Sequence, residues 1–310
     1  MKPFFSQKRL GLLLILPLLF WLLAVACERV REGTPEPEGQ PRTTLVIGLL
    51  PEQDVFVQRK RYAPIAQYLS RQADLDIELR ILRRYGNLVD NFTSMGLDGA
   101  FLGSFTGALA IEVLGAEPLA RPEYPGGVST YYGMIFVRKD SGIRTAEDMR
   151  DKVFAMVDRA TTAGWLLPLH YFHQQGIENP EQWLREIYFS GTHEDAIRDV
   201  IKGRADIGAA KDLIFDRFAD GKARELLEII EVSPPVPSNT LVLRSDLDPA
   251  LRERLRQLLL TMHQDPAGRE ALRQFGAERF LATAVEDYNP VLDYAWDIRL
   301  DLADYHYRNR

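Results

Sequence analysis

Thr161-Thr162-Ala163-Gly164 follows a short apolar, β-rich run at 153–157 and precedes a helical pattern that takes hold near Trp165. A strand, a tight turn and a helix start in that order gather unpaired N–H groups and the positive end of a helix dipole at one point, which suits an oxyanion. Two hydroxyls beside small residues let a tetrahedral anion approach the backbone. The structural alternative is that Thr161 or Thr162 serves only as a helix N-cap. Ligands of open α/β sheets collect at the carboxyl ends of strands. The other strand ends offer Gln53 in Pro51-Glu-Gln-Asp54, Tyr85, and Ser104 and Phe105 ahead of Thr106. The second half of the chain adds His193 in Gly191-Thr-His-Glu194 and Lys211 after Ala209-Ala210. Hydroxyls, an imidazole, an ammonium and two helix starts converging on one cleft are the chemistry of charge-assisted hydrogen bonds to an anion. His193 could instead be an ordinary first residue of a helix, and Lys211 could pair structurally with Asp206 or Asp212. Glu194 and Asp195 read as first-turn acids favoured by the helix dipole.

Bond-making chemistry has little support. Gly103-Ser-Phe-Thr-Gly107 is not a G-x-S-x-G nucleophile elbow, and neither a Walker A loop nor G-x-G-x-x-G occurs. His170 and His173 share a helix face without an evident carboxylate partner, so no metal and no cofactor is expected. Tyr288, Tyr294, Trp296, Tyr305 and Tyr307 fall mostly at helical spacing and read as packing.

The elements that must position these groups occupy a chain of 310 residues with 46% apolar composition, enough for one large or two medium domains. The formal charge is −6, and Lys2, Lys8 and Arg9 lie in the N-terminal segment; without these three cations the remainder stands at about −9. An acidic body without a basic run argues against a nucleic-acid partner. Any anion must therefore be captured by local groups against an unfavourable overall field. The single cysteine, Cys27, excludes a disulfide framework and a multi-cysteine zinc site. Cations, an apolar run at 10–26 and Ala24-Val25-Ala26-Cys27 have the layout of a secretory signal. Cys27 at the cleavage point resembles a bacterial lipobox, with Ala24 where leucine is usual, so residues 1–27 are expected to be a lipoprotein signal peptide with Cys27 lipidated. An uncleaved anchor is the alternative. Residues 28–42, charged and rich in Pro and Gly, read as a disordered tether.

From about Thr43, strands alternate with helices, which predicts an α/β fold of mostly parallel sheets flanked by helices. Strands are expected at 44–50, 76–82, 99–102, 116–120 and 132–137, then 153–157, 187–189, 205–209, 227–232 and 239–243. Pro168 inside the helical stretch 162–175 predicts a kink or irregular turn. The tail reads as helices at 249–262, 266–275 and 285–305. Two similar units joined near Lys139 and again at Ser233-Pro-Pro-Val-Pro237 imply two lobes with a ligand cleft between them. The expected division is 43–138 plus 238–310 for the first lobe and 139–237 for the second.

Over about residues 44–285 the sequence resembles the substrate-binding proteins of phosphate, phosphite and phosphonate ABC transporters, the PhnD-like family with the type II periplasmic-binding fold. The resemblance rests on Gly48-Leu-Leu-Pro51, Arg61-Tyr62-Ala-Pro64 with Tyr68-Leu69, and Asp98-Gly-Ala-Phe-Leu-Gly-Ser-Phe-Thr-Gly107. It continues through 132–142, 158–164, Gly191-Thr-His-Glu194, Ala205-Asp-Ile-Gly-Ala209 and Ser233-Pro-Pro-Val-Pro237. It implies that Thr161-Thr162-Ala163-Gly164 stands for the family's Ser-Thr-Ser-Gly anion loop, with the third hydroxyl lost. His193 matches the family's Gly-His-Glu turn with Thr192 inserted. Tyr85 and Phe105 match its ligand-facing aromatics, and Tyr132, opening the 132–142 match, joins the candidates. Where relatives that bind aminoalkylphosphonates place carboxylates, this chain resembles them only in position, with Leu213 and Asn239 and with Lys211 close by. The resemblance thus implies a compact anion: phosphate, phosphite or a small phosphonate. The expected protein is a monomeric, extracytoplasmic lipoprotein in the periplasm or on the cell surface, handing its ligand to an ABC permease and catalysing nothing. A sensory protein docking on a membrane receptor or histidine kinase is the alternative.

Overall fold

The computed structural model describes residues 42–52, 54–82, 88–218 and 221–305. The signal segment, Cys27, nearly all of the tether, Gln53 and Tyr85 lie outside the described residues. From Thr43 onward the chain forms a single unit built on two sheets.

The first sheet has six strands in the order β13-β4-β12-β3-β1-β2. Its strands are β1 (Thr44–Leu49), β2 (Asp76–Ile81), β3 (Gly99–Leu102), β4 (Glu117–Glu123), β12 (Thr240–Leu243) and β13 (Arg279–Ala282). The second has five in the order β10-β6-β9-β7-β8. These are β6 (Gly133–Arg138), β7 (Val153–Met156), β8 (Glu186–Phe189), β9 (Ile207–Lys211) and β10 (Leu227–Val232). Strands β3, β7, β9 and β12 are buried along their whole length, as expected for strands covered on both faces.

The sheets are mixed. In each, three strands pair in parallel, β2-β1-β3 and β8-β7-β9. Antiparallel strands complete both: β12, β4 and β13 in the first, β6 and β10 in the second. Chain crossings deliver the reversed strands β12 and β6, whereas β4 and β10, each paired to a reversed strand, run in the direction of β3 and β9 and follow them through helices.

Those crossings run through two strands of two residues each, β5 (Thr130–Tyr131) and β11 (Val236–Pro237), which pair antiparallel as Tyr131 with Val236 and Thr130 with Pro237. Strand β6 pairs with β9 and β10, so residues 133–138 sit in the second sheet and not, as expected from sequence, with the first lobe. The first crossing therefore falls at β5, ahead of Lys139. The tail also departs from expectation. In place of one helix over 285–305 there is a 3-10 turn, Val285–Tyr288, then a helix, Asn289–Asp297. Arg299 follows at φ 56° and ends the helical path. This segment lies across both sheets' surroundings: Tyr305 OH donates to the Arg159 carbonyl (2.8 Å), and the Tyr305 ring lies 5.6 Å from that of Phe105. Tyr288 and Tyr294 are buried as expected of packing residues, whereas Trp296 is 82% exposed.

Candidate functional site

Strand β7 ends in a turn that its own backbone determines. Asp158, buried, accepts from the Ala160 N–H at Oδ1 (2.9 Å), and its carbonyl accepts from the Thr161 hydroxyl (2.7 Å) and the Thr161 N–H (3.0 Å). The chain then enters a π-helical turn, Thr162–Leu166, that runs into the helix Leu167–Gln174. Pro168 explains the wide turn. It has no N–H to give the Gly164 carbonyl four residues back, and that carbonyl instead accepts from Val157 N–H (3.1 Å). The irregularity expected at Pro168 is thus a device that ties the helix start to the end of β7. Gly164 is obligatory, because a Cβ there would collide with the Val157 side chain. Thr161 occupies the N-cap position without capping any N–H through its side chain, so the capping alternative does not account for Thr161.

Thr162 faces the first lobe. Its hydroxyl oxygen accepts from Phe105 N–H (2.9 Å) across 57 residues of sequence. Phe105 is the second residue of the helix Ser104–Leu114, whose N-cap Gly103 directly follows β3. Two helix starts, one from each lobe, therefore meet at a single hydrogen bond.

On the opposite side the first lobe contributes Glu52. Asp54 caps the helix Val55–Ala73 by accepting from Phe56 and Val57 N–H (3.0 and 3.1 Å). Gln58, on the first turns of that helix, accepts from Glu52 N–H (3.1 Å) and donates to the Leu50 carbonyl. These bonds fix the turn after β1 and aim the Glu52 side chain inward, where it is 6% exposed. Its Oε1 lies 3.2 Å from Lys211 Nζ, and its Oε2 accepts from Asn239 Nδ2 (2.8 Å). Lys211 Nζ also donates to Asn239 Oδ1 (2.8 Å) and sits 4.2 Å from the centre of the Tyr131 ring.

Burial alone would push the Glu52 carboxyl upward, but Lys211, His193 and Arg61 outweigh it and hold it below its ordinary value. Burial likewise opposes the Lys211 charge, and Glu52 with the nearby tyrosines more than restores it. His193 behaves differently. Burial, aided by the Lys211 charge and opposed by Glu52, lowers it from 6.5 to about 4. It is neutral at pH 7, and Nδ1 accepts from Lys211 N–H (3.4 Å). That bond assigns the ring proton to Nε2, which is a donor.

Glu52, Phe105, Thr106, Tyr131, Thr161, Thr162, Ala163, His193 and Lys211 line one small cavity of about 10 Å³ between the sheets. Its formal charges cancel, Glu52 against Lys211. A larger cavity, about 770 Å³, lies between Glu112 and the segment 292–303. It touches no strand end, whereas fixed donors converge on the small site.

Of the candidates read from sequence, Thr161, Thr162, Ala163, Phe105, His193 and Lys211 come together at this cavity, and Asn239 joins through its bonds to Lys211 and Glu52. Ser104 does not line it. Its hydroxyl donates to the Pro237 carbonyl (2.7 Å) and lies 3.1 Å from Tyr131 OH, bracing the crossover strands. Tyr132 is 38% exposed, and its neighbour Tyr131 is the residue that turns inward. Lys211 pairs with neither Asp206 nor Asp212 but with Glu52, which sequence reasoning passed over in favour of Gln53. His170 and His173 each meet a carboxylate, Asp297 (3.1 Å) and Glu178 (3.3 Å). Among the described residues no group of three or more His, Cys, Asp or Glu is placed to hold a metal.

Residues 47–288 match the family model described as ABC transporter, phosphonate, periplasmic substrate-binding protein. A probable ABC transporter phosphite-binding protein of Prochlorococcus marinus is 22% identical over 261 residues, covering 80% of this chain and 87% of its own. Among solved structures, a binding-protein component of an ABC phosphonate transporter from Pseudomonas aeruginosa superposes with a TM-score of 0.76 at 18% identity, covering 83% of this chain and 87% of the other. A Prochlorococcus marinus protein in complex with methylphosphonate superposes at 0.72 and 20% identity, covering 83% and 98%. These likenesses share the two-lobed type II periplasmic-binding fold. With the family model spanning most of its length, the chain belongs to the periplasmic phosphonate substrate-binding proteins of ABC transporters, carriers of a ligand and not enzymes.

Proposed function

We propose that this protein captures a small phosphorus oxyanion, namely phosphate, phosphite or a small phosphonate, between its lobes and presents it to an ABC permease. The observation that carries this reading is the Phe105 N–H to Thr162 hydroxyl bond between two helix starts. It brings backbone donors of both lobes to one point beside Thr161, Ala163 and the His193 Nε2–H. An oxyanion entering there exchanges that bond for bonds to its own oxygens, so both lobes bind it at once and closure is coupled to occupancy. Because Glu52 and Lys211 cancel, recognition falls to oriented neutral donors, which read shape and protonation rather than bulk charge. We further propose that the lobes divide through β5 and β11, that Cys27 carries a lipid anchor, and that the protein acts as a monomer.

Calorimetry on the full chain in mild detergent, with phosphate, phosphite, methylphosphonate and sulfate, tests the reading. One phosphorus oxyanion should bind tightly, and sulfate should not compete. Absence of binding by all of them, with folded protein, would refute it and move the receptor-docking alternative ahead.

A further inference from the structure

Lys211 looks at first like a cationic ligand for the anion, but its surroundings say otherwise. Its ammonium is enclosed by the Glu52 carboxylate (3.2 Å), the Asn239 amide oxygen (2.8 Å) and the face of the Tyr131 ring (4.2 Å). An ammonium has three donors, and these partners supply two acceptors and a π face for them. A carboxylate, an amide oxygen and an aromatic face, all buried, make a receptor for an amine. The cradle is assembled from both lobes and both crossings: Glu52 follows β1, Tyr131 lies in β5, Asn239 follows β11, and Lys211 ends β9. Three of its four members also line the cavity that holds Thr161, Thr162 and Ala163.

We propose that Lys211 occupies, as part of the protein, the subsite that would otherwise receive a ligand's ammonium group, and so restricts the pocket to phosphorus oxyanions that carry no amine. This rests on the oxyanion reading above and adds to it the class of ligand excluded. A ligand amine entering wild-type protein would meet the like charge of Lys211 and find Glu52 and Asn239 already engaged. Removing the Lys211 side chain beyond Cβ leaves the carboxylate, the amide and the ring in place, with room for an exogenous ammonium.

The test uses the full chain in mild detergent as wild type, Lys211→Ala, Lys211→Met and the double variant Glu52→Ala with Lys211→Ala. Calorimetry compares ethylphosphonate with 2-aminoethylphosphonate, its amine-bearing counterpart. Wild type should favour ethylphosphonate. Lys211→Ala should reverse the preference by about tenfold to a hundredfold, the effect of one charge-assisted hydrogen bond. Lys211→Met, which fills the space without charge, should bind 2-aminoethylphosphonate no better than wild type does, and the double variant should show no reversal. A second readout is independent of the oxyanion: ethylammonium chloride should raise the melting temperature of Lys211→Ala and leave wild type and the double variant unmoved. If wild type binds neither phosphonate, the oxyanion reading fails while ethylammonium still reports on the cradle. An unchanged preference in Lys211→Ala, or no stabilisation of it by ethylammonium, whether it is folded or unfolded beforehand, would overturn the proposal.

Discussion

At one end of the pocket Phe105, Thr162 and Ala163 present N–H and hydroxyl groups without formal charge; at the other, Glu52 and Lys211 carry full opposite charges 3.2 Å apart. Both ends join the lobes, and they do so at different expense. The neutral end exchanges one hydrogen bond for others and loses little when it opens. The charged end holds two desolvated ions that are stable only as a pair, so separating them exposes each to an uncompensated environment. The contrast suggests a division of labour, in which the neutral end turns over with the ligand and the charged end sets the register of the lobes.

The strongest way to break this contrast is to remove one ion. Lys211→Met should cost about 3–5 kcal/mol in denaturant unfolding because Glu52 stays buried without its partner. Combining it with Glu52→Gln should recover most of that loss, a coupling that a double-mutant cycle measures directly. If the single and double variants lose the same stability, the ions are not acting as a pair.

Thr162→Val probes the neutral end. It removes the acceptor of the Phe105 N–H and should cost only about 1 kcal/mol of stability. Affinity for the phosphorus oxyanion should nevertheless fall by about tenfold to a hundredfold, since a donor to the ligand is gone. Calorimetry and thermal melts on the same preparation separate the two effects.

His193 sharpens the comparison through pH. Its folded value of about 4 lies below its ordinary 6.5, so between these values the unfolded chain binds a proton that the folded chain does not. Its contribution is whole above pH 6.5 and is lost as pH falls towards 4. His193→Asn should flatten the melting-temperature profile in that window and leave the slope above pH 7 unchanged. Ser104→Ala should have the smallest effect. Its hydroxyl bonds to Pro237 and lies beside Tyr131 rather than lining the cavity, so about 1 kcal/mol of stability should go with affinity nearly unaltered.

The same contrast explains what could be read in the sequence. The neutral end is local: a buried strand, a turn of small and hydroxylated residues and a helix with a proline lie within 153–174, and each leaves a compositional mark. Even the irregular turn at Pro168 follows from its missing donor. The charged end is not local. Lys211 stood out as a lysine ending a buried run, but its partner lies 159 residues away. The nearer acids Asp206 and Asp212 were the natural candidates. Glu52 is aimed inward by bonds to Gln58 that no local pattern announces. Strands β5 and β11 escaped notice because two residues carry no alternation. The antiparallel flanks escaped because strand and helix alternation reports the order of elements and not the direction in which strands pair. The same shortness hid the position of the first crossing, and with it the place of residues 133–138 in the second sheet.

The central question is where the oxyanion is received. Amide NMR of the isotopically labelled full chain in detergent, titrated with methylphosphonate, addresses this most directly. The Phe105, Thr162 and Ala163 N–H resonances should shift together and saturate at one equivalent, with the Lys211 ammonium environment little changed. Shifts confined to residues around the larger cavity, such as Trp296 and Leu300, with Phe105 and Ala163 unmoved, would contradict it.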